Sequence, residues 1–219
     1  MSDRILDAKK NNKEEEVEIS LRPKVLKEYV GQEELKRNLR VFMGAAMHRD
    51  ETLDHVLLYG PPGLGKTTLA YVIANEMKGN IRVINGPSIE RAGDLASILA
   101  DLKAGDILFI DEIHRLPRIV EEVLYGAMED FKLAILIPRE QGSNTLNLTL
   151  EPFTLIGATT RAGDLSSPLR SRFGIVEKIN FYSEKEIEGI VRRTSKVLKT
   201  EIDEKAVSLI AKQIGRAHV

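Results

Sequence analysis

The nine residues GPPGLGKTT, at positions 60–68, constrain the fold of this chain more than any other feature. They follow the apolar run 56–59, which predicts a short strand, and they lead into 66–77, where the spacing of apolar residues predicts a helix. Between a strand and a helix, the pattern GxxxxGK[ST] is typical of a loop that wraps the phosphates of a nucleotide. A glycine-rich turn without a ligand is the alternative, and this placement disfavours it. The sequence therefore predicts a nucleotide-binding α/β domain.

Residues of this loop have separate expected tasks. Gly63 and Gly65 let the backbone turn so that its N–H groups point at phosphate oxygens, and the N-terminus of the next helix adds the positive end of its dipole. Lys66 is expected to reach the β- and γ-phosphates of ATP, and the Thr67 hydroxyl to ligate Mg²⁺. The predicted phosphate site also includes Gly60 and Thr68.

A second strand supplies two carboxylates. DILFIDE, at 106–112, is an apolar strand ending in Asp111 and Glu112, and open α/β sheets bind ligands beyond the carboxyl ends of their strands. Asp111 is expected to hold the magnesium ion and Glu112 to polarise the attacking water. Two acids after a strand more often begin a helix, but a P-loop about 45 residues upstream favours the catalytic interpretation. His114 follows, and we give it no role beyond local packing or capping.

Strands and helices alternate along most of the chain. Four further strands are predicted from the apolar runs at 81–84, 107–110, 153–158 and 175–181. Further helices are predicted at 32–47, 94–102 and 119–128. This alternation indicates a parallel five-stranded sheet between helices. The segment PREQGSNT separates two shorter runs, 133–137 and 146–150, which predicts an inserted β-hairpin.

Beyond the sheet the pattern becomes wholly helical. We expect a flexible tail at 1–20, a large ATPase domain at 21–182 and the start of a small helical domain at 183–213. Ser183 and Glu186 form a capping-box signature, and Asp203 opens the next helix. IGRAHV, at 214–219, is what a common sequencing adapter encodes in frame, so we expect an artefact there and a truncated chain.

The tetrapeptide DEIH at 111–114, taken alone, would indicate a DExH helicase. The polar residues after the fourth strand are instead similar to those of AAA+ ATPases. GATTR places Thr160, with Thr159 as the alternative, where a sensor 1 residue would lie between the carboxylates and the γ-phosphate. SSPLRSRFG places Arg172, with Arg170 as the alternative, where AAA+ rings carry an arginine finger for the neighbouring subunit's γ-phosphate. A finger of this kind implies that the protein oligomerises.

Four segments together resemble the RuvB family of AAA+ ATPases, and the resemblance covers about residues 20–213. These segments are LRPKVLKEYVGQ at 21–32, LDHVLLYGPPGLGKTTLA at 53–70, GDILFIDEIHRL at 105–116 and PFTLIGATTRAGDLSSPLRSRFGI at 152–175. Leu64, the EDF triplet at 129–131 and LRSRFG separate this family from clamp loaders and most other AAA+ branches.

The resemblance implies a hexameric-ring ATPase that drives Holliday junction branch migration with RuvA during recombination and DNA repair, with RuvC as a further candidate partner. Carried over by motif, the nucleotide-binding residues would be Leu21, Arg22, Gly63, Lys66, Thr67, Thr68, Glu129, Asp130, Phe131 and Tyr182. For Tyr182 the alternative is an aromatic that packs at a hinge between domains. The hairpin at 133–150 corresponds to the element that docks on RuvA, although Leu133, Ile135 and Ile137 could equally be ordinary sheet cover.

Charge and composition limit these expectations. The net charge is -1, whereas a domain that binds nucleic acid through its own electrostatic field is usually basic. The family's winged helix and sensor 2 arginine would follow residue 213, so we expect DNA contacts to come mainly from outside this sequence and nucleotide binding by the fragment to be weak. Without cysteine, disulfides and thiolate metal sites are excluded. With no membrane-length apolar run and a charged N-terminus, we expect a cytoplasmic protein.

Two other functions remain open at this point. A clamp-loader-like switch would use ATP to capture a partner rather than to translocate DNA. A DExH helicase would require two tandem ATPase lobes in one chain.

Overall fold

A computed structural model describes residues 21–139 and 142–216 of the chain, with side chains for 21–133 and 147–215. The described residues form two compact units, of which the larger is Gln32–Asn180 and the smaller joins 21–31 to 181–216. Residues 21–31 are thus grouped with the helices after residue 181, whereas the predicted large domain included them.

A parallel sheet forms the centre of the larger unit, as predicted. Its strands are β1 (Val56–Tyr59), β2 (Ile81–Asn85), β3 (Ile107–Asp111), β6 (Thr154–Thr159) and β7 (Ile175–Lys178). They are arranged in the order β2-β3-β6-β1-β7, and every neighbouring pair is parallel. Strand β7 is shorter than the predicted 175–181, although Ile179 still donates its N–H to Tyr59 O at 2.8 Å.

Helices cover both faces of this sheet. In the larger unit they are α1 (Glu33–Arg49), α2 (Lys66–Met77), α3 (Ala92–Ala100), α4 (Arg118–Asp130) and the short α5 (Ser167–Arg170). Because side chains alternate along a strand, Leu57, Leu108 and Leu155 lie on one face, in a core cluster with α3 and α4. The opposite face packs on α2, whose Leu69 and Ile73 are fully buried. Burial on both faces explains why the three central strands, β1, β3 and β6, are largely apolar, whereas the outer strands β2 and β7 carry exposed polar residues.

The predicted hairpin is present as β4 (Lys132–Arg139) and β5 (Gly142–Thr149), which run antiparallel and, among the described strands, pair only with each other. Its base is part of the core, because Leu133 and Leu150 are 2% and 6% exposed. Leu133 is therefore sheet cover rather than a docking side chain. The side chains of Ile135 and Ile137 lie outside the described residues.

Two helices dominate the smaller unit, α6 (Glu184–Val197) and α7 (Glu204–Arg216). The predicted capping box is present: the N–H of Ser183 donates to the Glu186 carboxylate at 2.7 Å, and Ser183 Oγ accepts from the Glu186 N–H. Asp203 caps α7 by accepting the N–H of Ala206 at 2.7 Å. In the part of the chain that the structure describes, no helix combines the length and apolarity that a membrane crossing requires.

Candidate nucleotide site

The glycine-rich loop lies at the carboxyl end of β1 and leads directly into α2. Gly63 and Gly65 have φ of 76° and 91°, in the left-handed region that side chains other than glycine rarely adopt. Gly60 donates its N–H to Thr159 O at 3.1 Å, which joins the loop to the end of β6. A Cβ on Gly60 would lie 2.4 Å from the carbonyl oxygen of Ile179, so only glycine fits this position. The loop geometry is therefore fixed by both neighbouring strands.

Lys66 is buried at the first position of α2, with 6% of its surface exposed. Its Nζ donates to Gly60 O at 2.9 Å and to Pro61 O at 2.8 Å, so the ammonium group is folded back over its own loop. Burial lowers the pKa of Lys66, and the negative charges of Asp111 and Glu112 partly oppose that shift. The two backbone carbonyls offer the Lys66 ammonium group only partial negative charge, whereas a bound phosphate group would offer it a full negative charge.

Asp111 and Glu112 lie at the carboxyl end of β3, close enough to Lys66 for their charges to oppose the lowering of its pKa by burial. The Glu112 N–H donates to Asp111 Oδ1 at 2.9 Å, and Glu112 has a left-handed φ of 50°. Thus the structure brings the predicted lysine and both predicted carboxylates together. Among the described residues no group of three or more acids and histidines could hold a metal by itself. The Thr67 hydroxyl and the Asp111 carboxylate are hard oxygen donors of the kind Mg²⁺ uses alongside substrate phosphates.

The two threonines that end β6 differ in their surroundings. Thr159 is fully buried, and its Oγ1 lies 2.8 Å from His114 Nδ1 and accepts the N–H of Arg161 at 2.9 Å. Thr160 is half-buried, and no described residue hydrogen-bonds to its hydroxyl. The Thr160 hydroxyl is therefore free to contact a ligand, whereas that of Thr159 is already engaged.

Arg172 is held by three hydrogen bonds within its own chain. Nε donates to Tyr125 O at 3.2 Å, Nη1 to Pro168 O at 2.9 Å and Nη2 to the Glu129 carboxylate at 2.6 Å. The guanidinium carbon also lies 5.0 Å from the centre of the Tyr125 ring, within cation–π range. The side chain is 26% exposed. Arg170, by contrast, is exposed, and its side chain has no partner among the described residues.

Tyr125 is fixed in turn by a buried acid. Its hydroxyl donates to Glu121 Oε2 at 3.2 Å and lies 3.1 Å from Ser166 Oγ, which donates to the same carboxylate at 2.6 Å. These contacts tie α4 to the segment that precedes Arg172. The cradle of Arg172 is therefore built from side chains whose own positions are constrained.

The last turn of α4 lies at the edge of the sheet where β1 begins, which we call the amino edge. His55 immediately precedes β1, and its Nε2 lies 3.0 Å from Met128 O. Phe131, with a φ of 52°, packs its ring at 6.3 Å from His55 and 5.8 Å from Phe153, centre to centre. Glu129 and Asp130 are its immediate neighbours in the chain, so the EDF triplet belongs to this edge.

Arg172 belongs to the amino edge as well. It contacts Glu129 and precedes Ile175, the first residue of β7, whose N–H donates to His55 O at 3.1 Å. The P-loop and both carboxylates lie at the opposite edge, which we call the carboxyl edge. Strand β1 has four residues, which separates the two edges by roughly 13 Å.

The predicted site residues thus fall into three groups. At the carboxyl edge lie Gly60, Gly63, Gly65, Lys66, Thr67, Thr68, Asp111, Glu112 and Thr160. At the amino edge lie Glu129, Asp130, Phe131 and Arg172. The third group, Leu21, Arg22 and Tyr182, belongs to the smaller unit. There the Tyr182 hydroxyl donates to that of Tyr29 at 3.0 Å, and Arg193 donates to Leu21 O at 2.6 Å.

Sequence reasoning missed two residues that the structure connects to the site. His114 lies 3.3 Å from the Glu112 carboxylate and hydrogen-bonds to Thr159. Its position two residues after Glu112 is the sequence feature that could have indicated this role. Tyr125 contacts the predicted finger through both its carbonyl and its ring. Nothing in the sequence near Tyr125 indicates that contact, because 47 residues separate it from Arg172.

A phosphate-binding loop on β1, two carboxylates on β3 and a polar residue on the intervening strand β6 define a P-loop nucleotide-binding domain of the AAA+ class. Residues 21–179 match the family described as the Holliday junction DNA helicase RuvB P-loop domain. The chain belongs to this RuvB family.

Individual relatives agree with that assignment. A Holliday junction branch migration complex subunit RuvB from Staphylococcus saprophyticus is 56% identical over 213 residues, which are 97% of this chain and 64% of the relative. One from Lactobacillus gasseri is 54% identical over 218 residues, 99% of this chain and 64% of that protein. The solved structure of the Thermotoga maritima RuvB Holliday junction branch migration motor is 51% identical with a TM-score of 0.78, over 88% of this chain and 60% of that one. This chain therefore spans less than two thirds of the length of these relatives.

Proposed function

We propose that this chain is the nucleotide-binding core of a ring-forming ATPase, the motor subunit that drives branch migration of four-way DNA junctions in recombination and DNA repair. ATP and Mg²⁺ would bind at the carboxyl edge of the sheet, and each site would be completed by Arg172 of an adjoining subunit. A hexameric ring, as in the family resemblance, is the assembly we propose. The cytoplasm is the proposed location.

The separation of the two edges carries this proposal. Lys66 and the carboxylates lie at one edge of the sheet, while Arg172 lies at the other, bonded to Glu129. An arginine across a strand of roughly 13 Å does not reach the γ-phosphate of its own site. It is nevertheless held as a preorganised and partly exposed cation, which is the condition for acting on a neighbouring molecule. A ring in which the amino edge of one subunit faces the carboxyl edge of the next satisfies both observations.

The chemistry at the carboxyl edge fits ATP hydrolysis. The glycine-rich backbone and Lys66 would bind the phosphates, while Thr67 and Asp111 would ligate the metal. When bound, Mg²⁺ neutralises charge on the β- and γ-phosphate oxygens. Glu112 would take a proton from the attacking water as the bond from the γ-phosphorus to the β-phosphate oxygen breaks, giving ADP and phosphate. The free hydroxyl of Thr160 supports its role as the sensor at the γ-phosphate.

Partners are proposed from the relatives' names and from the hairpin. The relatives are described as subunits of a Holliday junction branch migration complex, so we propose four-way junction and duplex DNA as the substrate, with RuvA as the targeting partner and RuvC as a candidate. Within the described part of the chain, the hairpin β4–β5 pairs with no other strand, which supports a docking role for the part beyond its buried base. The net charge of -1 favours DNA contacts from outside this sequence.

A branch migration assay tests the proposal. We expect the full-length protein, with RuvA and ATP, to convert a synthetic four-way junction into two duplexes, and to do so only when hydrolysis proceeds. A protein that captures RuvA and the junction with ATP but leaves the junction unmoved would instead be a nucleotide-gated switch of the clamp-loader kind. A variant with Glu112→Gln is the matched control, because it should bind ATP and partners without turnover.

A further inference from the structure

His114 forms a continuous chain of polar contacts between the end of β6 and the predicted base. Its Nδ1 lies 2.8 Å from Thr159 Oγ1, and its Nε2 lies 3.3 Å from Glu112 Oε2. The imidazole is 8% exposed, whereas the Glu112 side chain is 31% exposed. The contacts therefore run from a buried hydroxyl, through a buried ring, to a carboxylate that is open to the site.

The carboxylate of Glu112 sets the donor and acceptor roles along this chain, because an ionised carboxylate only accepts and the ring nitrogen that faces it must carry a proton. The N–H of Arg161 donates to Thr159 Oγ1, and the Thr159 hydroxyl can then donate its own proton to His114 Nδ1. With Nδ1 accepting, the neutral ring carries its proton on Nε2, which faces the Glu112 carboxylate. This tautomer is compatible with both contacts, and it places the protonated ring nitrogen 3.3 Å from Glu112 Oε2.

The backbone around Glu112 reinforces this arrangement. The residues Ile113–Arg115 form a 3-10 turn in which Arg115 donates its N–H to Glu112 O at 2.8 Å, and Ile113 is fully buried. This turn brings the ring of His114 back beside the carboxylate two residues earlier. Of the two carboxylate oxygens, Oε2 is the one that lies near His114.

We infer that His114 is a positioning residue for hydrolysis, which holds the Glu112 carboxylate in place and couples it to the end of β6 through Thr159. The inference rests on the proposed function, in which Glu112 is the base. Thr159 directly precedes the predicted sensor Thr160, so a movement of that strand end on contact with the γ-phosphate is passed through His114 to Glu112. In this role His114 acts through Glu112 rather than by contact with the nucleotide or the water.

Three variants of the full-length protein test this role. His114→Phe keeps a planar ring but removes both polar contacts, and we expect kcat for ATP to fall about ten- to a hundredfold while the KM for ATP changes little. His114→Gln retains an N–H donor toward Glu112 and should recover part of that loss. His48→Phe, at an exposed position on α1, is the matched control for a histidine-to-phenylalanine change and should behave as the parent protein.

Thr159 supplies an independent arm that does not require substitution of the ring. Thr159→Val should lower kcat, and Thr159→Ser, which keeps the hydroxyl, should lower it less. If the two residues act in series, Thr159→Val should add no further loss in the His114→Phe background. Unchanged kcat in both His114→Phe and Thr159→Val, while Glu112→Gln is slow, would overturn the inference alone. If Glu112→Gln also turns over normally, then the assignment of the base in the proposed function fails instead. A rise in KM with constant kcat would mean that His114 serves nucleotide binding rather than positioning of Glu112.

Discussion

The two edges of the five-stranded sheet hold their functional cations in opposite ways. At the carboxyl edge, Lys66 is buried, and among the described residues its Nζ donates only to the carbonyls of its own loop. At the amino edge, Arg172 is partly exposed and is oriented by the side chains of Glu129 and Tyr125 as well as by backbone. Under the proposed function, the lysine would bind a ligand in its own subunit, whereas the arginine would act on the ligand of another subunit. The difference between the two edges is therefore what a site shared between subunits requires.

Removal of the lysine should have the largest effect on this pairing. Lys66→Ala should abolish detectable ATP binding, since the phosphates lose their buried cationic partner. Titration of the full-length protein with a fluorescent ATP analogue measures this, and Lys103→Ala, at an exposed position before β3, is the control. Retained affinity in Lys66→Ala would remove the assignment of the carboxyl edge as the phosphate site.

Removal of Arg172 should have the second-largest effect. Arg172→Ala should lower kcat about a thousandfold or more while ATP affinity is kept, because the finger acts on transition-state charge. In mixed rings, Arg172→Ala and Lys66→Ala subunits should recover some turnover, since an intact carboxyl edge can face an intact amino edge. Steady-state hydrolysis measured over a range of mixing ratios tests this expectation.

Arg170→Ala decides between the two candidate fingers. The side chain of Arg170 has no partner among the described residues, so it lacks the preorganisation of Arg172. A larger loss of kcat in Arg170→Ala than in Arg172→Ala would transfer the role. Absence of any recovery in the mixed rings would count against action in trans.

Removal of the proposed base at the carboxyl edge, Glu112, should lower kcat by a somewhat smaller factor. Glu112→Gln keeps the size of the side chain and removes its basicity, so we expect kcat to fall about a hundred- to ten-thousandfold with ATP still bound. Single-turnover hydrolysis separates this chemical step from product release. Turnover near that of the parent protein would require another base.

The smallest effect concerns the scaffold of the amino edge. His55 is 8% exposed, its Nδ1 accepts the N–H of Leu155 at 2.9 Å, and burial lowers its pKa. The unfolded chain therefore takes up the proton first as the pH falls below about 6.5, so the free energy of unfolding should decrease there. Urea midpoints measured above and below that pH should show a loss that His55→Gln removes and that His48→Gln, at an exposed histidine, leaves in place. An equal pH dependence in His55→Gln would show that other groups cause it.

Much of the fold could be predicted because it depends on local patterns. The P-loop, the apolar strand ending in Asp111 and the capping box at Ser183 combine residue type with spacing, and the structure contains the predicted strands and helices at nearly the predicted positions. Burial on both faces of a parallel sheet makes its strands continuously apolar, which is a strong sequence signal. The bounds of the smaller unit were harder to predict from the sequence. Residues 21–31 belong to it through contacts with residues more than 150 positions away, such as that of Tyr29 with Tyr182.

By itself the sequence predicted which residues would bind phosphate, metal and water, because those side chains follow short motifs at strand ends. Only the tertiary structure decided that Arg172 lies across the sheet from Lys66 and that His114 joins Glu112 to Thr159. The physical reason is that strand direction and helix packing set which side chains meet, and those contacts join segments that are separated by tens of residues in the chain. A motif specifies a chemical group, whereas the fold specifies which edge of the sheet that group occupies.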